Sequence, residues 1–324
     1  MNRVVAKVLV WLVWGAAMGV AHAADMNIRV YAINDHVLAF YDGRPPEPKE
    51  EPAVKDWAAF GALNVGVCTY VIHQGHTALV YDTYPKVQEA RWVREYLERL
   101  GITHFKVVNS HWHLDHVGGN AVYADVDRVA TRRTLEILRD KQNAIKAGTE
   151  WGPPAIDPLV LPNIGVVGRT RMFVEGIKVE LRPINIHSED GLVLFLPADR
   201  LLLAGDTLED TVTFIVEPEH IAQHLHNLEQ MKKWGIQRIL PNHGSPEVIA
   251  AGGYPLTLID ATVDYMKTIR FRVGDAHDLG GTLEDYVHES VARGWVSVWW
   301  AYRAAHAQNV ERVSVAYPKT AGQR

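Results

Sequence analysis

Three histidines and one aspartate crowd into six positions of the stretch NSHWHLDHVGGN, which runs from Asn109 to Asn120. The whole chain has 16 histidines in 324 residues, so three within six positions is a strong local enrichment. Imidazole and carboxylate groups are the side chains that bind zinc most often, together with cysteine thiolate. The alternative is a polar loop that is rich in histidine by accident. We interpret the cluster as half of a metal site, whose other half must come from elsewhere in the chain.

The spacing inside the cluster predicts two groups of ligands. His111 and His113 are two positions apart, and both imidazoles would project from one face if the preceding strand persists through them. Two nitrogens placed in this way can reach one metal ion. Asp115 and His116 follow where the chain is predicted to turn into a helix, just before a pair of glycines. There they could face a second ion beside the first.

Three later runs of strand character supply candidates for the missing ligands. Each candidate sits at the polar end of its run, where loops present functional groups. These candidates are His187 in INIHSEDG, Asp206 in LLLAGDTLED and His243 in LPNHGSP. His187 would complete a three-histidine group with the first two histidines of the cluster, and His243 would join its aspartate and third histidine. Asp206 could bridge both ions through its two oxygens.

The pattern of apolar residues predicts an α/β fold. Two helix–glycine–strand units recur, from residue 85 to the histidine cluster and from residue 220 to His243, and each unit ends in histidine. The segment GLVLFLPADRLLLAGDT between them is typical of a β-hairpin. Strands that alternate with helices in this way indicate an α/β sandwich whose outer faces are covered by helices. Further helices are predicted after His243.

The first residues predict a secretory signal peptide at 1–23. Basic residues precede an apolar run from Val8 to Ala21, and the small-residue pattern Ala-His-Ala then ends at Ala23. The apolar run is shorter than the roughly 20 residues that span a bilayer, so no stable membrane insertion is expected after cleavage. We therefore expect an exported protein, either periplasmic or secreted. Residues 24–324 are predicted to form one domain, with a metal-binding core at about 60–250 and a helical extension at about 255–324.

The net charge argues against a nucleic-acid partner, and the cysteine count excludes an internal disulfide. The chain has 38 acidic and 33 basic residues, for a formal net charge of −5. An acidic surface repels phosphate backbones, so a nucleic-acid partner is not expected and the predicted partner is a small-molecule substrate. Cys68 is the only cysteine, which excludes an internal disulfide. It lies in the apolar segment GVCTYVI, where a small buried side chain is the natural interpretation.

Several other aromatic residues and histidines receive structural rather than catalytic interpretations. His220 and His224 are four positions apart on a predicted helix, which favours a surface pair or a contact at the rim of the site. Trp151 lies in a loop rich in glycine and proline that could form a flap over the site. Trp299 and Trp300 are predicted to make core or dimer contacts. The sequence leaves the oligomeric state open.

The ordered set of candidate ligands resembles the metallo-β-lactamase superfamily over about Asn64 to Pro246. The resemblance implies a four-layered αβ/βα sandwich with the metal site at the sheet edges, and it gives Asp82 the role of orienting a ligand. In the true zinc β-lactamases a cysteine stands in the place of Asp206 and a lysine three positions later, where this chain has Glu209. The aspartate instead resembles the glyoxalase II and lactonase branches, which bridge two metals with that carboxylate.

This resemblance implies a hydrolase with two Zn²⁺ ions, although iron or manganese also suits these ligands. A water between the ions would attack a small ester, lactone, thioester or amide. Asp115 is expected to steer that water and to relay a proton to the leaving group. Two alternatives stay open, an enzyme similar to the persulfide dioxygenases with one iron ion and a true β-lactamase. The choice of substrate depends on the loops at 41–57 and 148–163.

Overall fold

The computed structural model describes residues 26–50 and 56–319 of the chain. The signal peptide predicted at 1–23 lies outside the described residues, as does part of the predicted loop at 41–57. Across the two described ranges, no helix has both the length and the apolar composition that crossing a membrane requires.

Seven strands form the first sheet, and they lie side by side in the order in which they occur in the chain. They are β1 (Arg29–Asn34), β2 (Val37–Asp42), β3 (Val67–Gln74), β4 (Thr77–Tyr81), β5 (His104–Val108), β6 (Asp127–Thr131) and β7 (Ile164–Val166). Strands β1 to β4 pair in antiparallel fashion. From β4 to β7 the pairing is parallel.

Five strands form the second sheet. They are β8 (Thr170–Val174), β9 (Ile177–Pro183), β10 (Leu192–Leu196), β11 (Leu201–Gly205) and β12 (Arg238–Pro241). Strands β8 to β11 are antiparallel, whereas β12 runs parallel to β11. The hairpin expected from the sequence is β10 and β11, in which Leu194 faces Leu203.

The helices follow the strands along the chain and continue after them. They are α1 (Leu63–Val65), α2 (Val87–Arg99), α3 (Leu114–Val117), α4 (Arg132–Ala147), α5 (Ile221–Met231), α6 (Pro246–Ala250), α7 (Thr257–Ile269), α8 (Leu283–Ala292) and α9 (Tyr302–Ala316). A π-helical segment at Trp57–Ala62 directly precedes α1. The last three confirm the C-terminal helices that the sequence predicts.

Alternation along β3 shows how the layers stack. Side chains of successive strand residues point to opposite faces, and Tyr70 of β3 packs in the large core between the two sheets together with Leu194 of β10. Its neighbour Val71 packs on the opposite face with Val93 of α2. Helices α5 and α7 pack on the second sheet: Leu228 of α5 and Met266 of α7 are buried in the same core cluster as Leu203 of β11. The order α2, first sheet, second sheet, and α5 with α7 confirms the four-layered sandwich, and Cys68 is buried in the large core, as predicted.

Two parallel strand pairs set the position of the candidate ligands. Tyr81 at the end of β4 lies beside Val108 at the end of β5, and Gly205 of β11 lies beside Pro241 of β12. Parallel neighbours end at the same edge of a sheet, and the loops that follow these ends carry functional groups. The segments that follow β5, β11 and β12 contain the first histidine cluster, Asp206 and His243, respectively.

Candidate metal centre

The structure brings all seven predicted ligands together in two groups that share one aspartate. The first group consists of His111, His113, His187 and Asp206, and the second consists of Asp115, His116, His243 and Asp206. Within each group the candidate ligand atoms lie within 4.8 Å of one another, and all seven side chains are buried. Buried imidazole and carboxylate groups in such numbers need hydrogen-bond partners or a cation to offset the cost of desolvation.

The first group has the spacing of ligands around one ion. Nδ1 of His113 lies 3.1 Å from Nε2 of His187. The carboxylate Oδ2 of Asp206 lies 3.6 Å from Nε2 of His111 and 3.8 Å from Nε2 of His187. Two ligands of a tetrahedral zinc ion, each roughly 2.1 Å from it, are about 3.4 Å apart. The three imidazoles and the carboxylate therefore fit a single ion.

The second group is equally compact. Oδ2 of Asp206 lies 3.1 Å from Nε2 of His116 and 3.2 Å from Nε2 of His243. Oδ2 of Asp115 lies 3.4 Å and 3.2 Å from the same two nitrogens. Oδ2 of Asp206 thus lies near nitrogens of both groups, whereas the sequence analysis expected the two oxygens to divide this role.

Two atoms at the junction of the groups have no hydrogen-bond partner among the described residues. They are Nε2 of His111 and Oδ1 of Asp206, and both are buried. A buried polar atom without a partner costs about 1–3 kcal/mol, and native proteins rarely leave such atoms unsatisfied. A metal ion would satisfy both atoms, so the donor set of this structure fits the implied metal.

The local path of the chain differs from the sequence prediction. Strand β5 ends at Val108 and does not persist through His111 and His113, so the expectation that both imidazoles project from one face of a strand is wrong. The chain bends instead, and His113 stands at the start of α3. The bend brings the ring centroids of the two histidines to 4.4 Å from each other. The pair still points into one site, by turn geometry rather than by strand alternation.

The two glycines after α3 allow this bend to pack closely against the loop that follows β4. A Cβ atom on Gly118 would lie 2.1 Å from the carbonyl oxygen of Pro85, and one on Gly119 would lie 2.1 Å from that of Thr83. Both distances are far inside van der Waals contact. Only glycine permits the backbone to approach so closely, and this approach fixes the position of Asp115 and His116.

The nitrogens that face away from the centre are held by hydrogen bonds. Nδ1 of His187 donates to the carbonyl oxygen of Phe214 at 2.8 Å. Nδ1 of His243 donates to the carbonyl oxygen of Gly66. Such bonds fix the tautomer and the ring orientation of a metal-binding histidine. In both residues Nε2 is the nitrogen directed at the centre, where it could bind a metal ion.

Asp82 joins the two halves of the site. Its Oδ2 accepts from Nδ1 of His116 at 2.9 Å and from Nδ2 of Asn242 at 2.6 Å. Its Oδ1 accepts from the backbone N–H of Ser110 at 2.7 Å. Asn242 immediately precedes His243, so one buried carboxylate positions residues on both sheets. This contact matches the orienting role that the resemblance implies for Asp82.

The electrostatic environment differs between the two ligand groups. Burial lowers the pKa of His113 well below its usual value and that of His187 to about 4, so both side chains are in the neutral form that binds metal. Burial alone would also lower the pKa of His116 and His243. The negative charge of Asp206 beside both rings instead raises their pKa well above the usual value. A positive charge, whether proton or metal ion, is therefore favoured there.

A cavity of about 890 Å³ opens over the centre and is walled on one side by tryptophans. The ring of Trp151 lies 4.8 Å from that of His113 and 5.6 Å from that of Trp112. Trp57 packs edge-on against Trp151 and donates from Nε1 to the carbonyl oxygen of Pro154 at 2.8 Å. The loop at 148–163 thus covers one side of the site, as the sequence suggested for Trp151.

Part of the cavity wall comes from α9, which the sequence analysis did not assign to the site. Tyr302, Gln308 and Arg312 of this helix line the cavity. The hydroxyl of Tyr302 donates to Oε2 of Glu209 at 3.0 Å, while Oε1 of Glu209 accepts from the backbone N–H of Phe214 at 3.1 Å. These residues carry no ligand motif, and their position depends on how α9 packs, so no sequence signal identified them.

His224, Trp299 and Trp300 have structural roles in this fold. His224 was predicted on the surface or rim, and this was wrong, because it is buried and its Nε2 donates to Oδ1 of Asn185 at 2.8 Å. It belongs to neither ligand group. Trp299 donates from Nε1 to the carbonyl oxygen of Asn64 at 2.6 Å and packs against the core. Trp300 donates from Nε1 to the carbonyl oxygen of Pro45 at 3.1 Å, which is a contact within the chain.

A family model described as the Metallo-beta-lactamase superfamily matches residues 64–243. Among curated proteins, the "Lactamase-like protein notP" of Aspergillus sp. (strain MF297-2) is 28% identical over 180 residues, which cover 55% of this chain and 49% of that protein. The "Atrochrysone carboxyl ACP thioesterase nsrC" of Aspergillus novofumigatus is 25% identical over 181 residues, which cover 56% and 49%. The chain spans about half the length of these curated relatives.

Solved structures of metallo-β-lactamases share the fold. A metallo-β-lactamase from Pontibacter korlensis superposes with a TM-score of 0.56 at 16% sequence identity, and the match covers 74% of this chain and 99% of that one. The DIM-1 metallo-β-lactamase exposed to ceftazidime gives a TM-score of 0.55 at 18% identity, with 74% and 97% covered. At these identities the likeness concerns the fold alone.

Proposed function

This chain belongs to the metallo-β-lactamase superfamily, and on that premise we propose that it is a dinuclear zinc hydrolase that cleaves a small ester, lactone, thioester or amide. One observation carries the proposal. Oδ2 of Asp206 contacts ligand groups on both sides, at 3.1 Å from Nε2 of His116 and 3.6 Å from Nε2 of His111. A structural zinc site needs four ligands and is closed, whereas this set has seven and borders a large cavity.

Zinc is the metal we propose for this set of imidazole nitrogens and carboxylate oxygens. When bound, the two ions would lower the pKa of a water towards neutrality and polarise the scissile carbonyl group. The residues of the chain hold this centre from both sheets. The first cluster follows β5, Asp206 follows β11 and His243 follows β12.

Asp115 is the residue that we assign to proton transfer. Its side chain lines the cavity, and its Oδ2 lies 3.2 Å from Nε2 of His243. In the reaction a bond forms between the water oxygen and the acyl carbon, and the bond from that carbon to the leaving group breaks. Asp115 accepts the proton that the water gives up and transfers it to the leaving group.

Two observations narrow the substrate class. Glu209 stands where a lysine would be needed to hold the carboxylate of a β-lactam, and both of its oxygens accept hydrogen bonds within the protein. This wall of the cavity therefore offers no cation at that position. A relative that carries the name of an acyl carrier protein thioesterase supports a thioester as the first substrate to test.

The experiment is a hydrolysis panel on the zinc-loaded protein with a thioester, an aryl ester, a lactone, a β-lactam and a phosphodiester. We expect turnover of at least one acyl substrate. Asp115→Asn should lower kcat by about 10²–10⁴-fold, while Asp140→Asn, at an exposed aspartate of α4, should have no effect. Turnover of no acyl substrate, or oxygen uptake with a persulfide by an iron-loaded form, would refute the proposal.

A further inference from the structure

Three cationic side chains line the cavity over the metal centre, and two of them are already paired with acids. Nε of Arg133 lies 2.7 Å from Oε1 of Glu189, and the ammonium group of Lys141 contacts Glu150. The third is Arg312 of α9. Among residues 26–50 and 56–319, no carboxylate oxygen lies within the 4.0 Å of an ion pair from its guanidinium. Arg312 therefore brings an uncompensated positive charge to the cavity wall.

Arg312 is held in place close to the centre. Its Nη1 donates to the carbonyl oxygen of Val216 at 3.1 Å, and its guanidinium carbon lies 5.0 Å from the centroid of the Phe214 ring. The centroid of the same ring lies 6.1 Å from that of His187. One aromatic ring thus separates the guanidinium from a metal ligand. A guanidinium has five N–H donors, so most of those on Arg312 are available to a ligand.

Two acids of the first cavity have other partners or a shifted pKa instead of an ion pair with Arg312. Glu209 directs its two oxygens at the backbone of Phe214 and the hydroxyl of Tyr302. Burial raises the pKa of Glu217 to about 8, so its carboxyl group is mostly protonated at neutral pH. Glu219 and Glu311 also line the second depression beside Arg312, but among the described residues neither carboxylate lies within 4.0 Å of its guanidinium, so most of its N–H donors stay free for an anion.

The cavity continues past Arg312. A second depression of about 480 Å³ shares Val216, Gln308 and Arg312 with the first. Gln308 lies one helical turn before Arg312 on α9, on the same side of the helix. Both side chains line both depressions. A substrate longer than a single acyl group could extend from the metal centre along this face of α9.

We propose that Arg312, assisted by Gln308, binds an anionic group of the substrate, a carboxylate or a phosphate, at a distance from the bond that is cleaved. Guanidinium groups bind both anions through paired N–H donors. The inference rests on the proposed function, since it concerns the substrate of the same cavity. It restricts that substrate to acyl compounds that carry a negative charge. Helix α9 lies beyond residues 64–243 that the family model matches.

The test uses three thioesters with one acyl group whose leaving groups end in a carboxylate, a phosphate or the neutral methyl ester of that carboxylate. The wild-type protein should have a higher kcat/KM for an anionic substrate than for the neutral one. Arg312→Gln should reduce that ratio about tenfold, mainly through KM, since a charge-assisted hydrogen bond is lost. Arg312→Lys should restore part of it. The anionic substrate whose kcat/KM falls more in Arg312→Gln carries the group that Arg312 recognises.

Arg303→Gln is the matched control. Arg303 is an exposed arginine of the same helix whose guanidinium contacts Glu284 instead of the cavity. Its replacement should leave the ratio unchanged. If Arg312→Gln slows all three substrates equally, Arg312 only holds Val216 in place and the inference is wrong while the hydrolase proposal stands. If the wild-type protein hydrolyses none of the three and no other acyl substrate, the proposed function fails and the inference fails with it.

Discussion

Oδ2 of Asp82 accepts a hydrogen bond from Nδ1 of His116 at 2.9 Å, and both side chains are buried. The same carboxylate accepts from Asn242, the residue before His243. Asp82 follows β4, so it reaches across to the segment that follows β12. The two sheets are thus tied together at the metal centre by a residue that is in neither ligand group.

Replacing this carboxylate should weaken metal binding. We expect Asp82→Ala to lower zinc affinity about 10–100-fold, because partners of this kind orient metal-binding histidines. Competition with a chromophoric chelator measures the affinity directly. The matched control is Asp199→Ala, which removes a carboxylate 3.0 Å from Nε2 of His36, away from the centre. Equal zinc affinities for wild type and Asp82→Ala would contradict the role given to Asp82.

The structure distinguishes two buried histidines. His187 directs Nε2 at Asp206 and His113, whereas His224 directs Nε2 at Asn185. His187→Ala should lose tightly bound metal, and His224→Gln should keep the wild-type metal content. Elemental analysis of both variants after dialysis measures the metal content per chain. Loss of metal from His224→Gln alone would show that the ligand assignment is wrong.

Close packing at Gly119 leads to a stability prediction. A Cβ atom there would lie 2.1 Å from the carbonyl oxygen of Thr83 and 2.3 Å from Cβ of Ala90. Gly119→Ala should therefore lower the free energy of unfolding by about 2 kcal/mol or more. Gly61→Ala is the control, because a Cβ atom at Gly61 meets nothing within 4 Å. Urea unfolding that gave the same loss for both variants would rule out the steric explanation.

Glu217 should make stability depend on pH. Burial raises its pKa from 4.5 to about 8 in the folded protein. Below pH 4.5 both the folded and the unfolded states are protonated, so the group contributes nothing there. As pH rises, the unfolded state ionises first, and the free energy of unfolding falls until the folded carboxyl group also ionises near pH 8.

Glu217→Gln should remove this dependence and become more stable than the wild type as pH rises from 5 to 8. The difference in free energy of unfolding between the two proteins, measured by urea titration at several pH values, isolates the contribution of this group. Glu219→Gln, at an exposed glutamate of the same segment, should follow the wild type. Parallel curves for wild type and Glu217→Gln would contradict a raised pKa.

The sequence indicates that the candidate ligands lie close to the ends of strands, since each one follows an apolar run. In parallel pairs such as β4 with β5, neighbouring strands end at the same edge of the sheet, so residues that are far apart in the chain meet there. This is why His187, Asp206 and His243 could be sought at strand ends. The fold class and the C-terminal helices followed from the same alternation of apolar patterns.

Other features depend on packing that a single sequence does not encode locally. The bend through His111 and His113 forms because the chain after β5 packs against the loop after β4 through two glycines, and not because of a strong turn signal. His224 is buried because α5 lies on the second sheet. Arg312 reaches the cavity only because α9 folds back towards the centre, and neither its spacing nor its neighbours indicate this.

The number of metal ions bound per chain tests the central claim most directly. Elemental analysis of the zinc-saturated protein, after removal of free metal, should give two ions per chain for the wild type. Asp206→Ala should retain at most one, because both ligand groups share that carboxylate. A wild-type protein that binds a single ion at saturation, or an Asp206→Ala variant that keeps both ions, would contradict the account of a two-metal centre joined by Asp206.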